Sequence, residues 1–129
     1  MGNALNLLMN GNVFLYYGEE LGMKGSGKDE NKRAPMYWSK DGNAEGMCKG
    51  PADMDDFRMK FDSLEEQQED PDSIYNYVKQ VIRVRNQNPV IARGTTAYLE
   101  QYSGEQCFAM TRSDENSSIL SVGNTSAET

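Results

Sequence analysis

The run Asn12 to Met23, NVFLYYGEELGM, constrains this chain more than any other stretch. Val13, Phe14, Leu15, Tyr16 and Tyr17 are apolar or aromatic without interruption, and the run stops at Gly18. A continuous run, unlike an alternating one, marks a strand covered on both faces, as in parallel sheets flanked by helices. Such a strand needs parallel neighbours, reached through crossovers of a dozen or more residues. No second run of this kind precedes it. The expectation is the tail of a larger α/β protein, not a self-sufficient domain.

Composition narrows the partners. The 129 residues are 37% hydrophobic and carry a formal charge of −7, with no basic cluster, which argues against nucleic acid or an anionic membrane surface. Neutral substrates remain compatible. Two cysteines, Cys48 and Cys107, do not make a disulfide framework, and with no histidine in the chain they make a poor metal-ligand set. No apolar run approaches the roughly 20 residues of a membrane span. Met1-Gly2 leads into a polar asparagine instead of a signal-peptide pattern, which leaves the compartment open if the gene starts upstream.

Asn3 to Asn10 places Leu5, Leu8 and Met9 at helical spacing ahead of Gly11, and reads as the last turns of a helix feeding the strand. Lys24 to Glu69 is a long polar excursion with turn chemistry at Gly25-Ser26-Gly27 and Asp41-Gly42-Asn43. Met54, Phe57, Met59, Phe61 and Leu64 predict one or two short packed turns within it. The clearest helix follows, with Asp70 at the cap and Pro71 at the first position. Ile74, Val78, Val81, Ile82 and Arg85 recur at helical spacing, and Asn88-Pro89 ends the element. Beyond Gly94, the predicted domain boundary, Thr95–Tyr102, Gln106–Arg112 and Ser118–Gly123 read as an antiparallel meander. Three strands seldom close a sandwich, so this part also looks truncated.

The chemistry of the chain is sparse. Glu19 and Glu20 invite an acid–base reading, but neighbours on an extended chain face opposite ways, whereas a retaining glycosidase pair sits about 5 Å apart. One of them can still line a site at the carboxyl end of a sheet. Asp53, Asp55 and Asp56 lack the glycine and closing glutamate of a calcium loop and read as a solvated face. Gly25, Gly27 and Lys28 are wrongly spaced for a phosphate loop. Arg33, Pro35, Met36 and Trp38 join a five-donor guanidinium to an aromatic plane, a pattern suited to sugar hydroxyls and C–H faces, although a packed loop is the commoner reason for it. No complete active site is present in these residues.

Two blocks resemble the α-amylase family, glycoside hydrolase family thirteen. The first is FLYYGEELGM, Phe14 to Met23; the second is RAPMYW, Arg33 to Trp38, preceded by Asp29. They resemble the family's eighth barrel strand and the loop after it. The helix closing in VRNQNPVIARG, with Arg85, Pro89 and Ile91, resembles the eighth helix. Phe108–Arg112 and Ile119–Asn124 resemble early strands of the carboxy-terminal β-sandwich, domain C. The oligo-α-glucosidase and neopullulanase-like members look most alike. Gly11-Asn12-Val13-Phe14 departs mildly, lacking a proline that the family often has there.

The resemblance implies an α/β fold: residues 1–94 as the last strand, long loop and last helix of a (β/α)8 TIM barrel, and residues 95–129 as the truncated start of the antiparallel β-sandwich. It implies a parent enzyme that hydrolyses α-glucosidic bonds of starch-derived oligosaccharides with retention. The family's three catalytic acids map to no residue here, so these residues by themselves are expected to be inactive. Arg33 carries over as the substrate-facing arginine, with Asp29 and Trp38 as its neighbours in the loop. No cofactor is implied within these residues, and Ca2+ is left open for the parent protein. The expected partner is an α-glucan oligosaccharide, and the isolated chain is expected to self-associate through its uncovered apolar strand. Two alternatives stay open: a trehalose- or sucrose-acting transglycosylase or isomerase of the family, and a non-catalytic amylase-like accessory protein.

Overall fold

The computed structural model describes residues 2–126, which form two compact units, one of residues 2–13 with 81–126 and one of residues 14–80. The first unit opens with α1 (Gly2–Leu8), which buries Ala4 and Leu7 along one side. It ends close to where the sequence placed it. Past its end Gly11 takes a left-handed φ of 78° and its N–H donates to the Ala92 carbonyl at 2.9 Å. The carbonyls at this end need donors. Arg85 supplies them, donating from Nη1 to Leu7 O at 2.6 Å and Met9 O at 2.7 Å, and from Nη2 to Gly11 O at 2.5 Å. A cation there also meets the negative end of the helix dipole. The arginine that resembled a family signature thus has a structural duty.

The meander of this unit is β1 (Thr95–Tyr98), β2 (Cys107–Ser113) and β3 (Ser118–Asn124), antiparallel throughout in the order β1-β2-β3. Thr96 pairs with Arg112 and Arg112 with Ile119, which fixes the register. The first strand stops four residues earlier than expected, because Glu100–Tyr102 turns into a 3-10 helix. Ser103 replaces the ladder there: its Oγ donates to Leu99 O and accepts from Ala109 N, both at 2.9 Å. The β2–β3 turn is closed by Asp114, whose Oδ1 accepts from Asn116 N at 2.9 Å and Ser117 N at 2.8 Å.

A short helix that the sequence did not announce, α5 (Val90–Arg93), lies against β2 and β3 and buries Val90 and Ile91. The approach is close at Gly94, where a Cβ would come within 2.6 Å of the Val90 carbonyl oxygen and 3.0 Å of that of Ser113. Arg112 lies inside this unit at 1% exposure. Its Nη1 reaches Thr111 O at 3.4 Å, its Nη2 reaches Met9 Sδ at 3.6 Å, and its Nε has no partner among the described residues.

The second unit contains α2 (Asp29–Lys32) and α3 (Leu64–Glu69); of the residues expected to form short packed turns, only Leu64 enters a helix, and Met54 to Phe61 lie in irregular backbone. The next helix, α4 (Ile74–Gln87), begins in this unit and continues into the other. Ser63 caps α3 in a reciprocal box with Glu66. The cap of α4 is Ser73, whose Oγ accepts from Asn76 N at 3.2 Å, and not Asp70. Residues 70–73 form a turn closed by Ser73 N on Asp70 O at 3.1 Å, so Asp70 and Pro71 stand before the helix. Buried Gln67 joins these parts. Its Nε2 donates to Leu21 O at 3.0 Å and Asp62 O at 2.7 Å, and its Oε1 accepts from Tyr75 N at 3.0 Å.

Val13–Tyr17 agrees with the expectation of a strand separated from its sheet. The run has no regular secondary structure, with Tyr17 already in a turn, and joins no ladder, since the sheet of the described residues is β1-β2-β3 alone. Phe14 is 84% exposed, and Leu15, Tyr16 and Tyr17 are exposed as well. A doubly covered parallel strand exists only with neighbours to bond and cover it, and no described segment provides them.

Candidate functional site

At the carboxyl end of the Val13–Tyr17 run, the second unit forms an open cleft of about 420 Å³, with Tyr16, Tyr17, Glu19, Asp29 and Arg33 among its walls. Gly18 makes the corner. Its φ of 84° suits glycine, and a Cβ there would lie 2.6 Å from Met23 Sδ. The 3-10 turn Glu19–Leu21 follows, burying Leu21 and leaving Glu19 on the cleft. Glu20 does not line it. The two glutamates therefore sit on a tight turn and not on the extended chain the sequence predicted.

The rings of Tyr16 and Tyr17 meet at 4.8 Å between centroids, tilted by 47°. The Tyr17 hydroxyl donates to Ala34 O at 2.9 Å and Lys32 O at 3.3 Å, tying the aromatic run to the end of α2. Burial, followed by the adjacent Tyr16, holds the Tyr17 phenol above its ordinary value, so it remains a neutral donor at physiological pH.

Arg33 follows α2 directly. Its Nη2 lies 3.3 Å from Asp29 Oδ2 and 3.6 Å from Glu30 Oε1, while more than half of its side chain stays exposed. These exposed pairs orient the guanidinium more than they stabilise the fold. Donor groups remain for a ligand, because guanidinium offers five. Of the three residues proposed from sequence, Arg33 and Asp29 are brought together on the cleft, whereas Trp38 is absent from its lining. Trp38 is held by its backbone, accepting from Glu65 N at 3.1 Å, with its side chain partly exposed.

Behind α2, buried Asn31 donates from Nδ2 to Ser26 O and to Asp55 Oδ2, both at 2.8 Å, and accepts from Asp55 N at 2.9 Å. Lys28 Nζ lies 2.7 Å from the other oxygen, Asp55 Oδ1. Hydrogen bonding and charge from Lys28, with the Asn31 amide next, pull the Asp55 carboxyl below its usual value. This carboxylate is thus occupied, and among the described residues no group of three His, Cys, Asp or Glu side chains could hold a metal ion. Cys48 and Cys107 are free and exposed. A second open cleft of about 610 Å³ in this unit is mostly apolar, with Met47, Met54 and Phe57 beside Lys40 and Arg58.

The sequence reading missed Tyr16, Tyr17 and Asn31 as site residues. The two tyrosines were hidden by their assignment to a buried strand, although their place just before Gly18 was a usable signal. Asn31 carried none. Two ring faces, a half-free arginine and flanking carboxylates suit the cleft to a neutral polyhydroxy ligand, with rings against C–H faces and ions on hydroxyls.

The family model "Alpha amylase, catalytic domain" matches residues 1–94. Among solved structures, Amy13B of Eubacterium rectale superposes with a TM-score of 0.90 at 47% identity, over 96% of this chain and 24% of that one. Alpha-amylase 3 of Dictyoglomus thermophilum is 30% identical over 94 residues, 73% of this chain and 19% of its own. A trehalose synthase of Thermus thermophilus is 28% identical over 80% of this chain and 13% of its own length. The chain therefore spans about a fifth to a quarter of the first two relatives. It belongs to the α-amylase family, glycoside hydrolase family thirteen.

Proposed function

We propose that the polypeptide carrying these residues is a retaining glycosidase acting on α-glucosidic bonds of starch-derived oligosaccharides, and that the Tyr16–Arg33 cleft is part of its sugar-binding rim. The observation that carries this reading is the convergence of Arg33, Asp29 and the tyrosine pair at one end of the aromatic run, within the span matched by the catalytic-domain model. In this reading Val13–Tyr17 is the eighth barrel strand, residues 1–94 complete the barrel, and residues 95–129 begin the β-sandwich. The family's catalytic acids lie on other parts of the polypeptide. The role of this segment is to bind: Arg33 donates to sugar hydroxyls, Asp29 and Glu30 hold its plane, and Tyr16 covers a ring face. Trp38 belongs to the same loop and contacts substrate only at its outer edge.

Exposed Phe14, Leu15 and Tyr16 give the isolated chain a surface through which it self-associates.

The test is Arg33→Ala in the full-length protein. It should lower kcat/KM on maltooligosaccharides at least tenfold, the scale of a lost charge-assisted hydrogen bond of about 1.5–3 kcal/mol. Unchanged kcat/KM would remove Arg33 from the site. The match to a trehalose synthase favours one alternative, a transferase or isomerase of the same family. Chromatography of the products from maltose separates the two, glucose alone marking hydrolysis and trehalose marking transfer.

A further inference from the structure

The cleft's arginine stands at the end of a helix that cannot hold itself. With four residues, α2 is far below the roughly 12–15 at which an isolated helix becomes marginal in water. Its position depends on what grips it. One grip is Tyr17, whose hydroxyl takes the carbonyls of Lys32 and Ala34 on either side of Arg33. The other is Asn31, at 5% exposure, two positions before Arg33.

We propose that Asn31 and Asp55 are positioning residues for Arg33, so that the segment around Asp55 sets how the guanidinium is presented to a sugar. This rests on the reading that Arg33 binds substrate. The contact is a closed ring. The Asn31 amide donates to the Asp55 carboxylate and accepts from the Asp55 backbone N–H, at 2.8 and 2.9 Å across 24 residues of sequence. The remaining Asn31 donor bond goes to Ser26 O at 2.8 Å, anchoring the loop that leads into α2. Lys28, the residue just before α2, takes the second Asp55 oxygen. One carboxylate therefore fixes both the start and the middle of the helix. Among the described residues Arg33 pairs with exposed Asp29 and half-buried Glu30, one turn back on α2. They move with α2 and cannot hold the guanidinium in place if the helix turns. Asn31 and Asp55 touch no ligand in this scheme. They act through α2.

A double-mutant cycle in the full-length protein tests this, with kcat and KM measured on maltopentaose for Asn31→Ala, Arg33→Ala and both together. Asn31→Ala should raise KM about tenfold while kcat changes less than about twofold, the pattern of lost uniform binding. In the Arg33→Ala background the same substitution should change KM less than about twofold. Equal losses in both backgrounds would overturn the proposal, because Asn31 would then matter without Arg33. Arg33→Ala with unchanged kcat/KM would defeat the substrate reading itself, a separate result. Should Asn31→Ala fail to fold, exposed Asp55 carries the same cycle. Asp55→Ala should raise KM only when Arg33 is present, and Asp55→Asn, which keeps an acceptor for the Asn31 amide, should recover most of the loss. An Asp55→Asn variant as impaired as Asp55→Ala would also count against the ring.

Discussion

The unit of residues 2–13 and 81–126 and the unit of residues 14–80 solve the same problem by different means. The first has a three-stranded ladder, with Leu7, Val90, Ile91, Ala109 and Met110 buried around it. The second contains no ladder among its described residues. There, Asn31, Ser63, Gln67 and Ser73 are buried alongside Leu21, Ala34 and Val78; Asn31 and Gln67 bond to backbone groups 24 and 46 residues away, and Ser63 and Ser73 bond to groups three and six residues away. Apolar packing tolerates many sequences of similar volume. A hydrogen-bonded interior depends on each partner being present, because an orphaned buried group costs its full desolvation. The second unit is therefore the more easily broken by a single polar substitution, and it is the one that carries the cleft.

The difference can be broken or sharpened by urea unfolding. Ile91→Ala, in the first unit at 1% exposure, should cost the most, about 2–5 kcal/mol for a truncated core isoleucine. In the second unit Gln67→Ala removes three hydrogen bonds, leaving Leu21 O, Asp62 O and Tyr75 N in need of partners. It should cost about 2–3 kcal/mol. A cost below about 0.5 kcal/mol would show that polar contacts are not what holds this unit.

Ser63→Ala is a smaller blow, about 1 kcal/mol for a lost cap. It also carries a signature in pH. Hydrogen bonds from the Ser63 side chain and backbone, then Lys40, hold the Glu66 carboxyl below its ordinary 4.5. A lowered folded value means stability that is present above pH 4.5 and lost as pH falls through the lowered value. Ser63→Ala should flatten that part of the acid-unfolding profile, and an unaltered profile would assign it to other carboxylates. Smallest of all is Arg112→Met. A buried guanidinium without a carboxylate gains little over an apolar side chain of similar length. The substitution should be neutral or stabilising by about 1 kcal/mol, and a large loss would mean Arg112 is paired in solution.

This contrast also explains what the sequence made legible. In the first unit, strands followed from β-branched and aromatic runs, and the turn residues Ser103-Gly104 and Ser113 to Asn116 lie between them. The end of α4 followed from Asn88-Pro89. Periodicity and backbone chemistry announce such elements locally. The short α5 was missed because four residues show no period, and the end of β1 because Ser103 substitutes for the ladder through its hydroxyl. In the second unit the helix α4 was evident, yet its true cap, Ser73, was masked by the stronger-looking Asp70-Pro71. Gln67 and Asn31 gave no sign at all, since their meaning lies in partners 46 and 24 residues distant. At the cleft, Arg33 and Asp29 stood out through the family motif, while the tyrosines were absorbed into the strand reading. That reading saw correctly that Val13–Tyr17 is composed for burial. It could not supply the neighbours that burial requires.

Val13–Tyr17 is an apolar run left in the open by the described residues around it, and it ends at the cleft proposed to hold sugar. A crystal structure of the full-length protein with a bound maltooligosaccharide tests it most directly. The prediction is parallel pairing of Val13–Tyr17 on both edges, with a sugar hydroxyl within hydrogen-bond distance of the Arg33 guanidinium. A structure in which the run stays unpaired in solvent, with the oligosaccharide bound away from Arg33, would contradict it.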